Sequence, residues 1–156
     1  IGEPETMDVR IFRDEPMGLE THLLNLDLPD RITYDQQRNI LFLNFEGMYI
    51  RVKADVVKLR HLLEARCNQI GQRVGVVINY DKFRISESTY DDYADMDRHM
   101  LEHYYTTITR FATSAFMRMK LGEVFTRRNI APHVVEKKDD AQAFLASLNA
   151  QNGGAA

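Results

Sequence analysis

The sequence contains no tryptophan, only four prolines and a single cysteine among its 156 residues. One cysteine, Cys67, cannot form an internal disulfide or a multi-thiolate zinc site, which disfavours an extracellular protein and fits a reducing cytoplasm. No apolar run reaches the ~18–20 residues that a membrane-spanning helix requires, and the chain does not open on a basic and then apolar signal segment. We therefore expect a cytoplasmic location and no membrane partner.

The net charge is small, at −3, with 44% hydrophobic and 28% charged residues. This composition is typical of one globular domain that buries its own core. The charge balance lacks the basic surplus with which proteins bind phosphate backbones, so nucleic acid is not an expected partner.

The first half of the chain has the pattern of an α/β domain. Two apolar runs, Ile32–Tyr34 and Ile40–Phe45, flank a polar turn and predict a β-hairpin. An apolar stripe at three- and four-residue steps then predicts a helix that begins near Val56 and ends at Gly71. The β-branched run Val74–Ile78 predicts a central strand that is covered on both faces.

The second half continues the alternation. Ser88, with Asp91 three residues later, predicts an N-capped helix with an aromatic-rich inner face. Thr109–Thr113 is the next predicted strand, and Ser114 is expected to cap a helix that continues to about Arg128. The apolar residues predicted to share one face of this helix are Phe116, Met119, Leu121, Val124 and Phe125.

An edge strand at Pro132–Glu136 and a helix over Asp139–Leu148 complete the predicted elements. Their order, β-β-α-β-α-β-α-β-α, favours an α/β fold with a single, mostly parallel sheet of about five strands. The N-terminal hairpin adds an antiparallel edge, and the helices are expected to pack on the sheet.

Two segments resemble parts of known enzymes. Met7–Leu19, with the sequence MDVRIFRDEPMGL, resembles the closing segment of acetate/propionate-type CoA-transferase chains. The segment Ile32–Glu136, above all YTTITRFATSAFMRMKLG at Tyr105–Gly122, resembles the extra C-terminal domain of long bacterial acyl-CoA:acetate/3-ketoacid CoA transferases of the propionate CoA-transferase type. The predicted element order is also similar to the sulfate-transporter and anti-sigma-factor-antagonist domain, which binds partners rather than catalysing reactions.

The resemblance implies a division of the chain. Residues 1–19 would be the tail of the catalytic domain and a linker, 20–150 an antagonist-like accessory domain, and 151–156 a flexible C-terminus. The chain opens on Ile1 rather than Met, so we expect a piece of a longer protein. The related transferases act on coenzyme A thioesters through a glutamate in a Glu-Asn-Gly motif. That motif is missing here, since Glu46-Gly47-Met48 is only a superficial match, so no catalytic residue and no cofactor are expected in this fragment.

Two groups of polar residues are candidate ligand contacts. Asn79, Asp81 and Lys82 follow the predicted central strand, and ligands commonly bind at the carboxyl edge of a parallel sheet. Short polar side chains in such a place also satisfy backbone donors in turns. Ser114 and Arg118 follow the next strand, where backbone N–H groups and positive charge suit an anion. Ser114 has the alternative role of a plain helix N-cap.

Three further patterns have simpler interpretations. His99 and His103 lie four residues apart on a predicted helix, but a complete metal site needs additional ligands, so no metal is expected. Tyrosines at helical spacing are more often core than pocket. Cys67 falls on the buried side of the first helix, where a thiol behaves as a small hydrophobe.

Two functions from different classes follow from these observations. In the first, the chain is a non-catalytic accessory or regulatory domain of a CoA transferase, and it docks to the catalytic domain in cis or to a partner. In the second, it is a small-molecule or nucleotide sensor that binds a ligand at the C-terminal edge of the sheet. Self-association into a homo-oligomer stays open in both.

Overall fold

The structure is a computed structural model that describes residues 28–154, with side chains described as far as residue 148. The strands are β1 (Ile32–Asp35), β2 (Ile40–Asn44), β3 (Tyr49–Ile50), β4 (Val74–Asn79), β5 (Arg84–Ile85), β6 (Tyr105–Phe111) and β7 (Val134–Val135). The helices are α1 (Lys53–Ile70), α2 (Tyr90–His103), α3 (Ala115–Thr126) and α4 (Lys138–Gly154). Short 3-10 turns lie at Leu28–Arg31 and Glu87–Thr89.

The predicted α/β fold is confirmed. The main sheet has five strands in the order β1-β2-β4-β6-β7. β1 and β2 form the antiparallel hairpin, and every later pair in this sheet is parallel. The apolar run of β4 is central, as its β-branched residues predict, and α1 ends at Gly71 in the left-handed conformation with φ of 81°. A small parallel pair, β3 with β5, was not predicted by the pattern.

The helices cover the two faces of the sheet unequally. A large apolar core joins α1, α2 and α3 to one face, through residues such as Leu59, Met100 and Phe125. A smaller cluster on the other face is formed by Ile40 and Val77 with Ala141 and Leu145 of α4. This second face therefore has a single described helix, which packs against β4, β6 and β7.

The start of α2 differs from the prediction. Ser88 lies inside the 3-10 turn, and its hydroxyl is 3.0 Å from that of Ser86, so it does not cap the helix. Thr89 is the N-cap residue, and its own hydroxyl donates to the Ser86 carbonyl at 2.7 Å. The Asp91 carboxylate faces Arg127 and Arg128 instead of the helix start, so the predicted capping box is wrong.

β6 begins earlier than its apolar pattern indicates, at Tyr105 instead of Thr109. The amide of Val74 donates to the Tyr104 carbonyl, and the guanidinium of Arg73 donates to the Tyr105 carbonyl at 2.7 Å. Polar threonines extend the strand because these long-range bonds fix its backbone, which single-sequence propensity does not detect.

The predicted inner face of α3 is wrong in part. Phe116 is 63% exposed and Met119 is 58% exposed, whereas Leu121, Val124 and Phe125 are buried. Each residue turns 100° around a helix, so residues 121, 124 and 125 form one stripe that residues 116 and 119 do not share.

Within the described range, no helix is long and apolar enough to cross a membrane.

Candidate functional site

The carboxyl ends of β2 and β4 are tied together by Asn79. Its side-chain oxygen accepts from the Asp81 amide at 2.9 Å, which closes a turn of the Asx type. Its side-chain nitrogen donates to the Asn44 side chain at 3.2 Å and lies 3.4 Å from the Glu46 carboxylate. Asn79 thus makes the turn contacts that were the alternative to a role in ligand binding. Glu46 lies just after the end of β2, within reach of the Asn79 side chain.

Asp81 joins the loop after β4 to the loop after β6. Its Oδ1 accepts from the backbone amide of Thr113 at 2.7 Å and from the Thr113 hydroxyl at 3.1 Å. These two bonds span 32 positions of sequence, so one carboxylate holds neighbouring loops at the edge of the sheet.

We expect Asp81→Ala to lower the free energy of unfolding by about 1–2 kcal/mol, because it removes both charge-assisted bonds to Thr113. Urea denaturation monitored by circular dichroism measures this change. Asp81→Asn keeps an acceptor oxygen and should recover more than half of the loss. An equal loss in the two variants would show that the hydrogen bonds to Thr113 are not the cause.

The two residues predicted on α3 also make local contacts. The Ser114 hydroxyl accepts from the Met117 amide at 3.2 Å, so the predicted N-cap is present. Arg118 donates to the carbonyls of Ala112 and Thr113 at 2.8 and 3.0 Å. Lys82 is exposed and has a positive φ of 57°. The structure therefore brings the loops of Asp81 and Ser114 together. A role of these residues in ligand binding stays a prediction.

A cavity of about 540 Å³ lies on the face of the sheet that carries α4. Its floor contains Phe42, Val77 and Phe111, and its rim reaches Asn44 and Asn79 at the strand ends. Register explains this grouping, because Phe42 pairs with Val77, and Asn79 pairs with both Asn44 and Phe111. We call this region, which α4 and the other described elements leave uncovered, the open sheet face.

The rim of the open sheet face is ionic. Lys138, the first residue of α4, places its ammonium 5.0 Å from the centre of the Phe42 ring. Arg31 donates to the carbonyls of Asn44 and Glu46 at 3.0 and 2.7 Å. Asp30 and Asp35 also line this cavity, so both signs of charge surround an aromatic floor.

Sequence reasoning missed the open sheet face, although one signal for it exists. β2 is apolar at Leu41, Phe42 and Leu43 in succession, which indicates a strand buried on both faces. The structure buries Leu41 and Leu43, while Phe42 on the opposite face is only half-buried. An apolar strand whose outer face is only partly covered by the described elements therefore indicates this surface.

A buried polar cluster lies between the sheet and α2. Arg110 is fully buried, and its guanidinium donates to the Asp97 carboxylate at 2.7 Å and to the Pro132 carbonyl at 2.6 Å. Burial lowers the pKa of Arg110, but the facing Asp97 more than offsets this effect, so the pKa is raised. Burial raises the pKa of Asp97, against the opposing effect of Arg110.

Two tyrosines extend the polar cluster. The hydroxyls of Tyr80 and Tyr93 are 2.7 Å apart, and burial raises the pKa of both well above the usual range of tyrosine. The predicted interpretation of the helical tyrosines as core is supported at Tyr93, which is fully buried. Tyr80 follows the central strand and is fully buried as well. Neutral hydroxyls in this setting hold the core together and are poorly placed to act as bases.

The histidines and the cysteine have structural surroundings. His99 Nε2 lies 2.7 Å from the Glu64 carboxylate, and the rings of His99 and His103 are 4.6 Å apart. No group of three histidine, cysteine or acidic side chains in the described part of the chain is arranged to hold a metal. Burial raises the pKa of the Cys67 thiol to about 11, which keeps it protonated at neutral pH.

Comparisons with protein-family models, with curated proteins and with solved structures gave no match to this chain. The chemistry of the site therefore rests on its own residues. Asn79 and Arg118 make local contacts with the backbone, and Asp81 joins two loops, while the open sheet face offers aromatic surface and mixed charge. Such a surface is suited to binding.

Proposed function

We propose that this chain is a non-catalytic accessory domain of an acyl-CoA:acetate/3-ketoacid CoA transferase, and that it docks in cis to the catalytic domain through the open sheet face. The observation that carries the proposal is the incomplete cover of a mostly parallel sheet. Parallel sheets almost always have both faces covered, because their strands are apolar on both sides. Among residues 28–154, α4 is the one helix on this face and covers only part of it, so a second body is expected to complete the cover.

The composition of the open sheet face supports docking to protein. Phe42 and Phe111 supply half-buried aromatic surface, which is favourable at the centre of an interface. Arg31, Asp35 and Lys138 surround it with charges of both signs, which favours a specific orientation over tight non-specific binding. Coenzyme A thioesters would be handled by the catalytic domain.

The proposal predicts protection of the open sheet face in the parent enzyme. Amide hydrogen exchange should be slower for residues 30–44 in the full-length transferase than in this chain alone. A Phe42→Asp variant of the parent should lose that protection, and its transferase activity should change in the same direction as in a parent that lacks residues 20–156. Phe116→Asp, at an exposed position on α3, is the matched control and should behave as wild type.

Identical exchange of residues 30–44 in the parent and in the isolated chain would contradict the proposed docking. Wild-type activity after deletion of residues 20–156 would contradict a regulatory effect on catalysis.

A sensor function is the second candidate, and the position of the cavity favours it. The cavity reaches the carboxyl edge of β2 and β4 at Asn44 and Asn79, where the sequence predicts ligand binding. A nucleotide or other flat molecule that stacks on Phe42 should shift the amide resonances of Asn79 in a saturable manner. Shifts that stay linear in ligand concentration would contradict a specific site.

A further inference from the structure

The first half of β6 is an edge of the main sheet within residues 28–154. β7 pairs only with Arg110 and Phe111, although β6 begins at Tyr105. The chain that leads into β7 turns away from this edge at His133, which has a positive φ of 43°. A cavity of about 300 Å³ lies beside the edge that is left open in this way.

Ile108 directs backbone groups toward this cavity. The amide of Arg110 donates to the His133 carbonyl on the β7 side, and alternate residues of a strand direct their amides and carbonyls to the same side. The amide and carbonyl of Ile108 therefore point to the β7 side as well, and Ile108 lines the cavity. Nδ1 of His133 lies 3.3 Å from that carbonyl. In the described part of the chain no strand pairs with Ile108 on this side, so its amide is open to a neighbouring strand.

The cavity combines an apolar base with a cationic wall. Arg98 of α2 is half-buried, and none of the carboxylates in the described ranges forms an ion pair with it. Glu102, one helical turn later, also borders the cavity but is exposed. A carboxylate from outside would therefore complement Arg98. We call the following residues of the lining the edge cleft: Arg98, Leu101, Thr106, Ile108, Ile130 and His133.

We propose that the edge cleft binds an extended segment of another polypeptide as an additional β-strand beside β6, with an aliphatic side chain over Ile108 and an acidic side chain next to Arg98. In strand addition, main-chain hydrogen bonds supply affinity and pockets for alternate side chains supply specificity. Side chains two residues apart point to the same face of a strand, so an aliphatic and an acidic residue at that spacing both reach the side of α2. This binding is distinct from the docking proposed for the open sheet face.

The shape of the edge cleft favours a single segment over a second copy of this chain. Its walls are α2 on one side and residues 129–133 on the other, with β6 as its base. A segment that carries no packed helix can lie between these walls. In a continuous sheet formed by two copies, β6 of the second copy would bring its own α2, which packs on β6, to the same face and into this space. A volume of about 300 Å³ is at the small end of ligand pockets and suits a few side chains.

The test is titration of the full chain with the synthetic peptide acetyl-Thr-Thr-Leu-Thr-Glu-Thr-amide, followed by amide NMR and hydrogen exchange. Threonine favours the extended conformation, and leucine and glutamate are two residues apart in this peptide. The resonances of Thr106 and Ile108 should shift in a saturable manner. Exchange of the Ile108 amide should slow by about threefold or more at saturation. The matched peptide with N-methyl groups on its peptide nitrogens keeps the side chains but cannot donate to β6, and it should leave this exchange unchanged.

A charge exchange measures the contribution of Arg98 separately. Arg98→Glu should weaken binding of the peptide by about tenfold, and replacing the glutamate of the peptide with lysine should restore it. Lys53→Glu makes the same change of charge at an exposed position on α1 and should leave binding unchanged. Circular dichroism of each variant establishes that the fold is kept.

Shifts that stay linear in peptide concentration, or equal protection of Ile108 by the N-methylated peptide, would overturn the proposal. Shifts confined to residues 30–44 would place the peptide on the open sheet face and would overturn it as well. A dimer in sedimentation equilibrium that itself slows exchange at Ile108 would assign the edge cleft to a second copy instead. Since only this chain and a synthetic peptide are used, the result is independent of the proposed association with a transferase.

Discussion

Asp97→Ala is expected to lower the free energy of unfolding by about 3–5 kcal/mol, because it leaves the Arg110 guanidinium buried without its counter-charge. Asp97 and Arg110 are both essentially without solvent contact, and their charged atoms are 2.7 Å apart. The Arg110 guanidinium also lies 3.8 Å above the Phe125 ring, so its position is fixed on several sides. Since small domains are stable by about 5–15 kcal/mol, this one change should remove a large share of the total. Chemical denaturation measures the loss.

Two comparisons separate the ion pair from a general effect of substitution in α2. Asp95→Ala, at a half-exposed carboxylate that faces Arg128, should cost about 0–1 kcal/mol. The double variant Asp97→Leu with Arg110→Met removes both charges and should be closer to wild type than Asp97→Ala alone, because no unpaired charge is left in the core. A loss below about 1 kcal/mol for Asp97→Ala would show that the pair is unimportant for stability.

Phe125→Ala should lower the free energy of unfolding by about 3–5 kcal/mol, since it opens a cavity in the core and removes the ring beneath Arg110. Phe125 is fully buried and its ring is 6.1 Å from that of Tyr93. The matched variant is Phe116→Ala on the same helix, which should change the stability by less than about 0.5 kcal/mol because Phe116 is mostly exposed.

The two phenylalanine variants together test which face of α3 is buried. Thermal and urea unfolding of both variants provide the measurement. Equal losses would favour the face predicted from the sequence over the observed one.

Local pattern was sufficient to predict the order of the five main-sheet strands and the four helices. The polar turn between Ile32–Tyr34 and Ile40–Phe45 marks the hairpin, and the stripe that ends at Gly71 marks α1. The β-branched run of β4 predicts the centre of the sheet, which the strand order confirms. Each of these features depends on a pattern of apolar and turn-forming residues within a segment of about twenty residues, and a single sequence shows such a pattern directly.

Features that depend on which elements become neighbours were not predictable in this way. Phe116 and Phe125 look equally apolar in the sequence, and only the packing of α3 on the sheet separates them. The ion pair of Asp97 and Arg110 joins α2 to the following strand, and the sequence does not show that these elements pack together. One signal of burial was available, because Asp97 lies one helical turn after Tyr93 on the apolar side of α2. The open sheet face depends on how far α4 extends over the strands, which within the described residues is decided by tertiary packing and not by local sequence.

The strand order also has a consequence for how quickly the chain folds. β4 pairs with β2 and β6, and neither contact forms before the chain has closed a long loop that includes α1 or α2. The entropy of closing such loops is lost before the parallel ladders form, so domains of this mixed type cross a higher barrier than helical bundles of similar length. The hairpin of β1 and β2 closes only a short turn, so we expect it to form first. β4 then pairs with β2 once α1 has formed between them.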